Sequence, residues 1–372
     1  LPSDTYFKKG VNIHIFIGHM QSNFILTDVM KTGDHHSYEQ FLEAHSLPNQ
    51  TFEYTGEYYS LHNFDLDKYD RKFAFIDMRI HNNRVLDNTG YRNDLVTRLE
   101  LLHQQGFKFI LANPWESLDN INSNIFVTGE KLKKVDIPYP HHVWTGGVSW
   151  FWSYMYHKHI DNSFNFIHSE KQHDFLYLNK APRTHRVRLY EALTKEGVLE
   201  NSLHTFLGME PPKRLPEKYE LPGIKPEDYP RWGKDQDIYE LPYNDTICSI
   251  VSETNDNDYE VFMTEKIWKP IIAGHMFVVH GNYLYLQKLR EIGFRTFSKY
   301  FDESYDLEKD PDKRITKLVE VIKQIKSLNT QDLYLNSQAL RKHNQETFFN
   351  KEKLSLQVNK TLLGFLEFAD GS

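Results

Sequence analysis

The sequence predicts an α/β protein of two tandem domains, each organised around a largely parallel sheet. Three observations lead there. Apolar runs of strand length recur along the 372 residues. Between several of them lie segments with apolar residues at helical spacing, closed by a glycine. The alternation occurs in both halves, and a chain of this length divides naturally into two cores.

In the first half, Val11–Gly18, Lys72–Ile80 and Phe107–Asn113 are apolar enough to be buried strands. Between the last two, Arg92–Gln105 carries Leu95, Leu99 and Leu102 on one helical stripe and stops at Gly106. Strand, helix, strand is the βαβ pattern of a parallel sheet. The second half repeats it, with strands expected at 174–179, 247–253 and 275–280, and helices at 184–196, 264–273 and 282–292. Arg314–Leu328 follows as an amphipathic helix, with Ile315, Leu318, Val319, Ile322 and Ile325 on one stripe. Residues 210–242 interrupt the second half. Seven of the fifteen prolines fall there among charged residues, which predicts a long ordered loop or lid rather than a core element. The resulting division is a domain over 1–168, a second over 169–345, and a C-terminal segment, 346–372.

Composition narrows the function. With 44 basic and 51 acidic side chains the net charge is −7, which gives no electrostatic footprint for backbone-led nucleic-acid binding. The single cysteine, Cys248, leaves no internal disulfide and no cysteine-based metal site, so a reducing, cytoplasmic compartment is expected. No signal peptide and no apolar run of membrane-spanning length is visible.

The most informative stretch runs from Cys248 to Gly281. An apolar strand ends at Ser252-Glu253, a polar loop contains Tyr259, and Thr264-Glu265-Lys266 opens a helix before a second apolar strand. Thr264 is a good N-cap, which places Glu265 and Lys266 in the first turn, where unpaired N–H groups and the helix dipole favour an anion. A carboxylate and an ammonium there suit a ribose hydroxyl and a diphosphate. Asp174–Leu193 supplies a second strand–turn–helix, turning at Asn179 and carrying Arg183, Arg186 and Arg188. Taken singly, each feature has a plain structural explanation, since Thr-Glu is a common cap and a Glu-Lys pair is usually solvated. It is the two together, in one half of the chain, that point to a nucleotide-sugar site.

These segments resemble the donor-site signature of the α-1,3-fucosyltransferases, glycosyltransferase family 10: a Glu at a strand end, then a Tyr, then Thr-Glu-Lys at a helix start. The similarity spans roughly Asp174 to Asp306. It implies a GT-B arrangement of two Rossmann-like domains with a catalytic cleft between them, the acceptor on the first and the donor on the second. It also implies that the C-terminal helix crosses back onto the first domain. In that family the Glu and Lys meet the ribose and diphosphate of a GDP-sugar, and an Arg after an earlier strand meets the phosphates. Carried over, Glu265 holds the ribose, Lys266 and either Arg186 or Arg183 hold the diphosphate, and Glu253 and Tyr259 border the pocket. Asp302 and Tyr305 close its far side. Spacing does not rank the arginines.

An inverting transfer also needs a base for the acceptor hydroxyl. His19, Asp77 and Glu116, at or just past expected strand ends of the first domain, are the candidates, although strand-end polar groups more often cap a turn. Trp144–His159 concentrates three of six tryptophans and offers either an acceptor platform or, as such clusters more often do, core. No metal is assigned. The paired histidines lack metal-ligand spacing, and Asp65-Leu66-Asp67, a tripeptide of metal-dependent transferases, has no strand before it. The expected function is transfer of a sugar from a nucleotide-diphosphate donor, GDP favoured, to a saccharide, inverting and without a cofactor. Two alternatives remain: a phage-type glycosyltransferase acting on modified DNA bases, and a non-catalytic module that binds nucleotide or glycan.

Overall fold

The computed structural model describes residues 24–27, 52–54, 73–77, 104, 108–112, 141–144, 147–161, 171–219, 236–256, 261–354 and 356–357. It is an α/β protein with two parallel sheets. The first contains β1 (Phe24–Thr27), β2 (Phe52–Tyr54), β3 (Phe73–Asp77), β4 (Lys108–Ala112) and β5 (His141–Trp144), in the order β2-β1-β3-β4-β5 with every pairing parallel. The strands expected around Phe75 and Phe109 are present as β3 and β4. Val11–Gly18 lies outside the described residues, as does all of the expected Arg92–Gln105 helix except the helical Gln104.

Helix α1 (Gly147–His159) follows. Phe151, Trp152, Met155 and Tyr156 are buried. For these residues the aromatic cluster is core rather than a sugar platform.

A compact unit spans Met155–Lys353. Its sheet is β6 (His173–Asn179), β7 (Ser202–Phe206), β8 (Thr246–Ser252) and β9 (Met276–His280), ordered β7-β6-β8-β9 and parallel throughout. β8 and β9 are buried at every residue, the pattern of strands covered on both faces. β7 was not foreseen. It is an edge strand whose Ser202 and His204 are only half buried, so no continuous apolar run marks it. From β6 the chain first goes outward to β7 and then returns to the other side of β6 with β8. The topological switch point therefore lies at the carboxyl ends of β6 and β8, where open α/β sheets bind ligands.

The helices are α2 (Thr184–Lys195), α3 (Glu240–Asp245), α4 (Glu265–Ile272), α5 (Tyr285–Glu291), α6 (Pro311–Ser327), α7 (Thr330–Asn336) and α8 (Gln338–Phe348). α6 begins by strong local rules: Asp310 Oδ1 accepts from the backbone N–H groups of Asp312 and Lys313, and Pro311 occupies the first turn. Its predicted stripe is buried as expected. α4 is covered by α8, with the Trp268 ring 5.4 Å from Phe294 and 5.7 Å from Phe348. Trp268 is packing, as its place in an apolar helix suggested.

One expectation is corrected here. α5 starts at Tyr285, not 282, because its cap comes from elsewhere. Leu284 adopts a left-handed backbone (φ 62°), its N–H donates to Asp306 O, and the Asp306 carboxylate accepts from the N–H groups of Leu286 (2.8 Å) and Gln287 (3.1 Å). The described start of the proline-rich insert is anchored by one buried side chain. Tyr219 is buried in a cluster with Leu176, Leu203, Tyr243 and Ala273, and its hydroxyl donates to Asp245 Oδ2 at 2.7 Å. Ile238, after the undescribed centre of the insert, packs on the same cluster. Tyr219 thus lies toward the amino ends of β6 and β8, whereas Lys213, earlier in the insert, pairs with Phe206 at the carboxyl end of β7.

Candidate functional site

Of the residues expected at a donor site, Arg183, Arg186, Glu253, Thr264, Glu265 and Lys266 come together at that switch point. β8 ends at Ser252, and Glu253 turns the chain into the loop toward α4. Thr264 caps α4 as expected, its Oγ1 accepting from Lys266 N at 3.4 Å. That fixes Glu265 and Lys266 in the first turn. Glu265 is almost fully buried, and its Oε1 accepts from Lys266 Nζ at 2.6 Å. Burial alone would raise the Glu265 carboxyl, but Lys266 and Lys269 outweigh it and hold the group below the ordinary value. Lys266, its side chain 22% exposed, also directs Nζ to Thr264 Oγ1 (3.2 Å) and Thr254 Oγ1 (3.4 Å).

α2 begins beside this turn. Its N-cap, Arg183, makes no side-chain cap and instead donates from Nη1 to Thr254 O (2.8 Å) and Asn255 Oδ1 (3.3 Å). Arg183 and Lys266 therefore take hold of one residue, Thr254, from two helices: the guanidinium at its carbonyl, the ammonium at its hydroxyl. Among the described residues the Arg183 Nε and Nη2 donors have no hydrogen-bond partner. One turn further on, Arg186 is 4% exposed and donates from Nε (3.2 Å) and Nη2 (2.9 Å) to Glu253 O. His185 Nε2 donates to the same carbonyl at 3.0 Å. Arg188 is excluded from the site: it faces outward in an ion pair with Asp312 at 2.5 Å. The three arginines that sequence could not rank thus divide into a free-handed contact, a buried strut and a surface ion pair.

Glu253 departs from its expected role as a pocket wall. It is completely buried, and its carboxylate is engaged inside the protein: Oε1 accepts from Thr264 N (3.1 Å) and Tyr285 Oη (2.7 Å), Oε2 from Thr264 Oγ1 (2.6 Å) and Thr254 N (3.3 Å). Burial pushes this carboxyl upward while Lys266, Thr264 and Tyr285 pull it back. Asp302 and Tyr305 are also occupied, the first at the surface and the second in the core. Asp302 caps the Ser304 turn, and the buried Tyr305 hydroxyl accepts from Val279 N at 3.3 Å.

Sequence reasoning missed His185, Asp256 and His280, and read Asn179 only as a turn. His280 is fully buried at the end of β9, its ring 5.5 Å from that of His185, with Asp256 Oδ2 3.8 Å from its Nε2 and Asp256 Oδ1 3.6 Å from His185 Nδ1. Burial lowers both imidazoles, for His185 against the pull of Asp256. Asn179 closes β6 with its backbone held on both sides by the Thr205 hydroxyl. The neighbouring loop approaches closely because residue 208 is glycine: a Cβ there would sit 2.7 Å from Lys180 O. No single-residue signal marks these groups, which only the sheet order brings together.

Of the remaining candidates, His19, Glu116 and Tyr259 lie outside the described residues, as does Asp65-Leu66-Asp67. Asp77 is the last residue of β3. Among the described residues no group of three or more His, Cys, Asp or Glu side chains is arranged to hold a metal ion, and no helix is long and apolar enough to cross a membrane.

No family model and no curated protein sequence matches the chain. Two solved structures of an α1,3-fucosyltransferase are similar to it, one determined with GDP. Each is 11% identical and covers 94% of this chain and 90% of that chain, with TM-scores of 0.46 and 0.44. With both scores below 0.5, the functional reading rests on the chain's own residues.

Proposed function

We propose that this chain is a glycosyltransferase that moves a sugar from a nucleotide-diphosphate donor to a saccharide, with inversion and without a metal. The observation that carries the reading is the convergence of Arg183 and Lys266 on Thr254 at the switch point. Two cations, one partly exposed and one with free donors, flank a helix N-terminus at the carboxyl edge of a parallel sheet. That is a site for two linked phosphates. In an inverting displacement the acceptor oxygen attacks the anomeric carbon, the bond from that carbon to the diphosphate oxygen breaks, and negative charge grows on the diphosphate. Lys266, Arg183 and the α4 dipole would stabilise that charge. Glu265 would hold the ribose, and the acceptor proton would go to a base on the first domain, with His19, Asp77 and Glu116 as candidates. The resemblance to family 10 favours guanine as the base.

The test is a thermal-shift panel of GDP, UDP, CDP, dTDP, ADP and CMP. A ligand that binds only the folded chain at a hundred times its Kd adds about 2.7 kcal/mol, enough to raise Tm by a few degrees. One diphosphate is expected to stand out, and its shift to vanish in Lys266→Ala. A folded protein that responds to none at millimolar concentration sinks the proposal. Turnover in EDTA is expected to match that in buffer, whereas a requirement for Mn²⁺ would revive Asp65-Leu66-Asp67. Duplex DNA binding with a steep salt dependence would instead favour a DNA-modifying enzyme.

A further inference from the structure

Lys266 is placed by more than its helix. Thr264 Oγ1 lies 2.6 Å from Glu253 Oε2. An ionised carboxylate only accepts, so the hydroxyl gives its proton to Glu253 and is left with lone pairs. Lys266 N at 3.4 Å and Lys266 Nζ at 3.2 Å sit on those lone pairs. Glu253 itself is held from every side. Its carboxylate accepts from Thr264 N, Tyr285 Oη and Thr254 N as well, and its carbonyl from His185 and Arg186. A fully buried acid with this many donors has one orientation.

We infer that Glu253 is a positioning residue: by fixing the direction of the Thr264 hydroxyl proton, it sets where the Lys266 ammonium stands when a diphosphate arrives. This rests on Lys266 being the diphosphate contact. The physical reason is polarity. With an amide at 253, the NH₂ must face either Thr254 N or Thr264 N, and each is already a donor. When it faces Thr254, the Thr264 hydroxyl becomes the acceptor and its proton swings toward Lys266, reversing the dipole that the ammonium sees. Glu253 touches no ligand in this scheme, and its effect passes wholly through Thr264 and Lys266.

The experiment is calorimetric titration of the full chain with GDP and with inorganic pyrophosphate, with Tm measured on every variant. Glu253→Gln and Thr264→Val are each expected to weaken both probes by about tenfold, the scale of one charge-assisted hydrogen bond. Thr264→Ser, which restores the hydroxyl, is expected to recover most of what Thr264→Val loses. In a Lys266→Ala background neither change should weaken binding further, because the residue they act through is gone. A purely structural Glu253 would lower Tm but leave the affinity of the folded fraction alone. Equal losses with and without Lys266, or wild-type affinity in folded Glu253→Gln and Thr264→Val, would overturn the inference. If Glu253→Gln does not fold, Thr264→Val carries the same test with the carboxylate intact. Wild-type protein that binds neither probe, or Lys266→Ala that binds both normally, would instead overturn the functional reading itself.

Discussion

The first turns of α2 and α4 stand side by side at the ends of adjacent strands, yet they are built in opposite ways. α4 has a side-chain cap, and its charged residues pair with one another: Thr264 caps, Glu265 and Lys266 form an ion pair, and the ammonium remains partly exposed. α2 has no side-chain cap. Its first-turn residues reach across to the loop after β8 and satisfy the carbonyls of Glu253 and Thr254. One helix start holds a charge ready; the other holds the loop on which that charge depends. The difference teaches that a cation near a helix N-terminus is not a ligand contact by virtue of its place. Arg186 is nearly as buried as a core residue and already gives two hydrogen bonds to Glu253, whereas Lys266 can exchange its long 3.4 Å bond to Thr254 for a phosphate oxygen.

The largest expected effect tests that division directly. Lys266→Ala is expected to cut sugar transfer by about 10²-fold, roughly 2.7 kcal/mol, in protein that still folds. Glu265→Ala is expected to match it. Full activity in both, with every donor tried, would break the comparison.

Acid should separate the two turns next. His185 is depressed below the ordinary 6.5 mainly by burial. The unfolded chain therefore binds its proton first, and the stability linked to a neutral His185 is complete above about pH 6.5 and lost as pH falls. His280 has the same sign. His275, lowered to about 3 by burial, alone accounts for roughly 2 kcal/mol lost by pH 5. Glu265, depressed in the folded state, gives up its contribution only below the usual carboxylate range. Tm is expected to fall between pH 7.5 and 5, with the His185 ring titrating before the α4 turn changes, as NMR would show. A Tm that rose over that interval would reverse the sign of the argument.

Smaller effects sharpen the strut assignment. Arg186→Lys keeps the charge but loses the fork, and is expected to cost about 1–2 kcal/mol in urea unfolding. Arg183→Ala is expected to weaken nucleotide binding by about fivefold with no loss of stability, because its residue is exposed. Arg188→Ala, removing only a surface ion pair, is expected to change neither measurement.

Much of the second sheet and its helices was legible. Thr264, Asp310 with Pro311, and the apolar runs of β6, β8 and β9 are local signals, and local signals survive folding. β7 was hidden because Ser202 and His204 are only half buried and break the apolar run. Proline density marked the insert as a loop but not the burial of Tyr219, because it reports on the backbone and not on where a side chain goes. In the site, the cap and the two residues behind it could be read from spacing. The ranking of the arginines and the internal commitment of Glu253 could not, because both depend on which strand lies beside which.

Asp306 carries a consequence for the making of the chain. α5 receives its cap from a residue some twenty positions later, so during synthesis this helix emerges from the ribosome before its own terminator of frayed N–H groups exists. Leu284, in a left-handed conformation that an unassisted leucine avoids, has nothing to hold it until then. The segment after β9 must therefore wait, and order arrives from the carboxyl side backwards. Nascent chains arrested just short of Asp306 are expected to exchange the Leu286 and Gln287 amides freely, and chains arrested well beyond it to protect them.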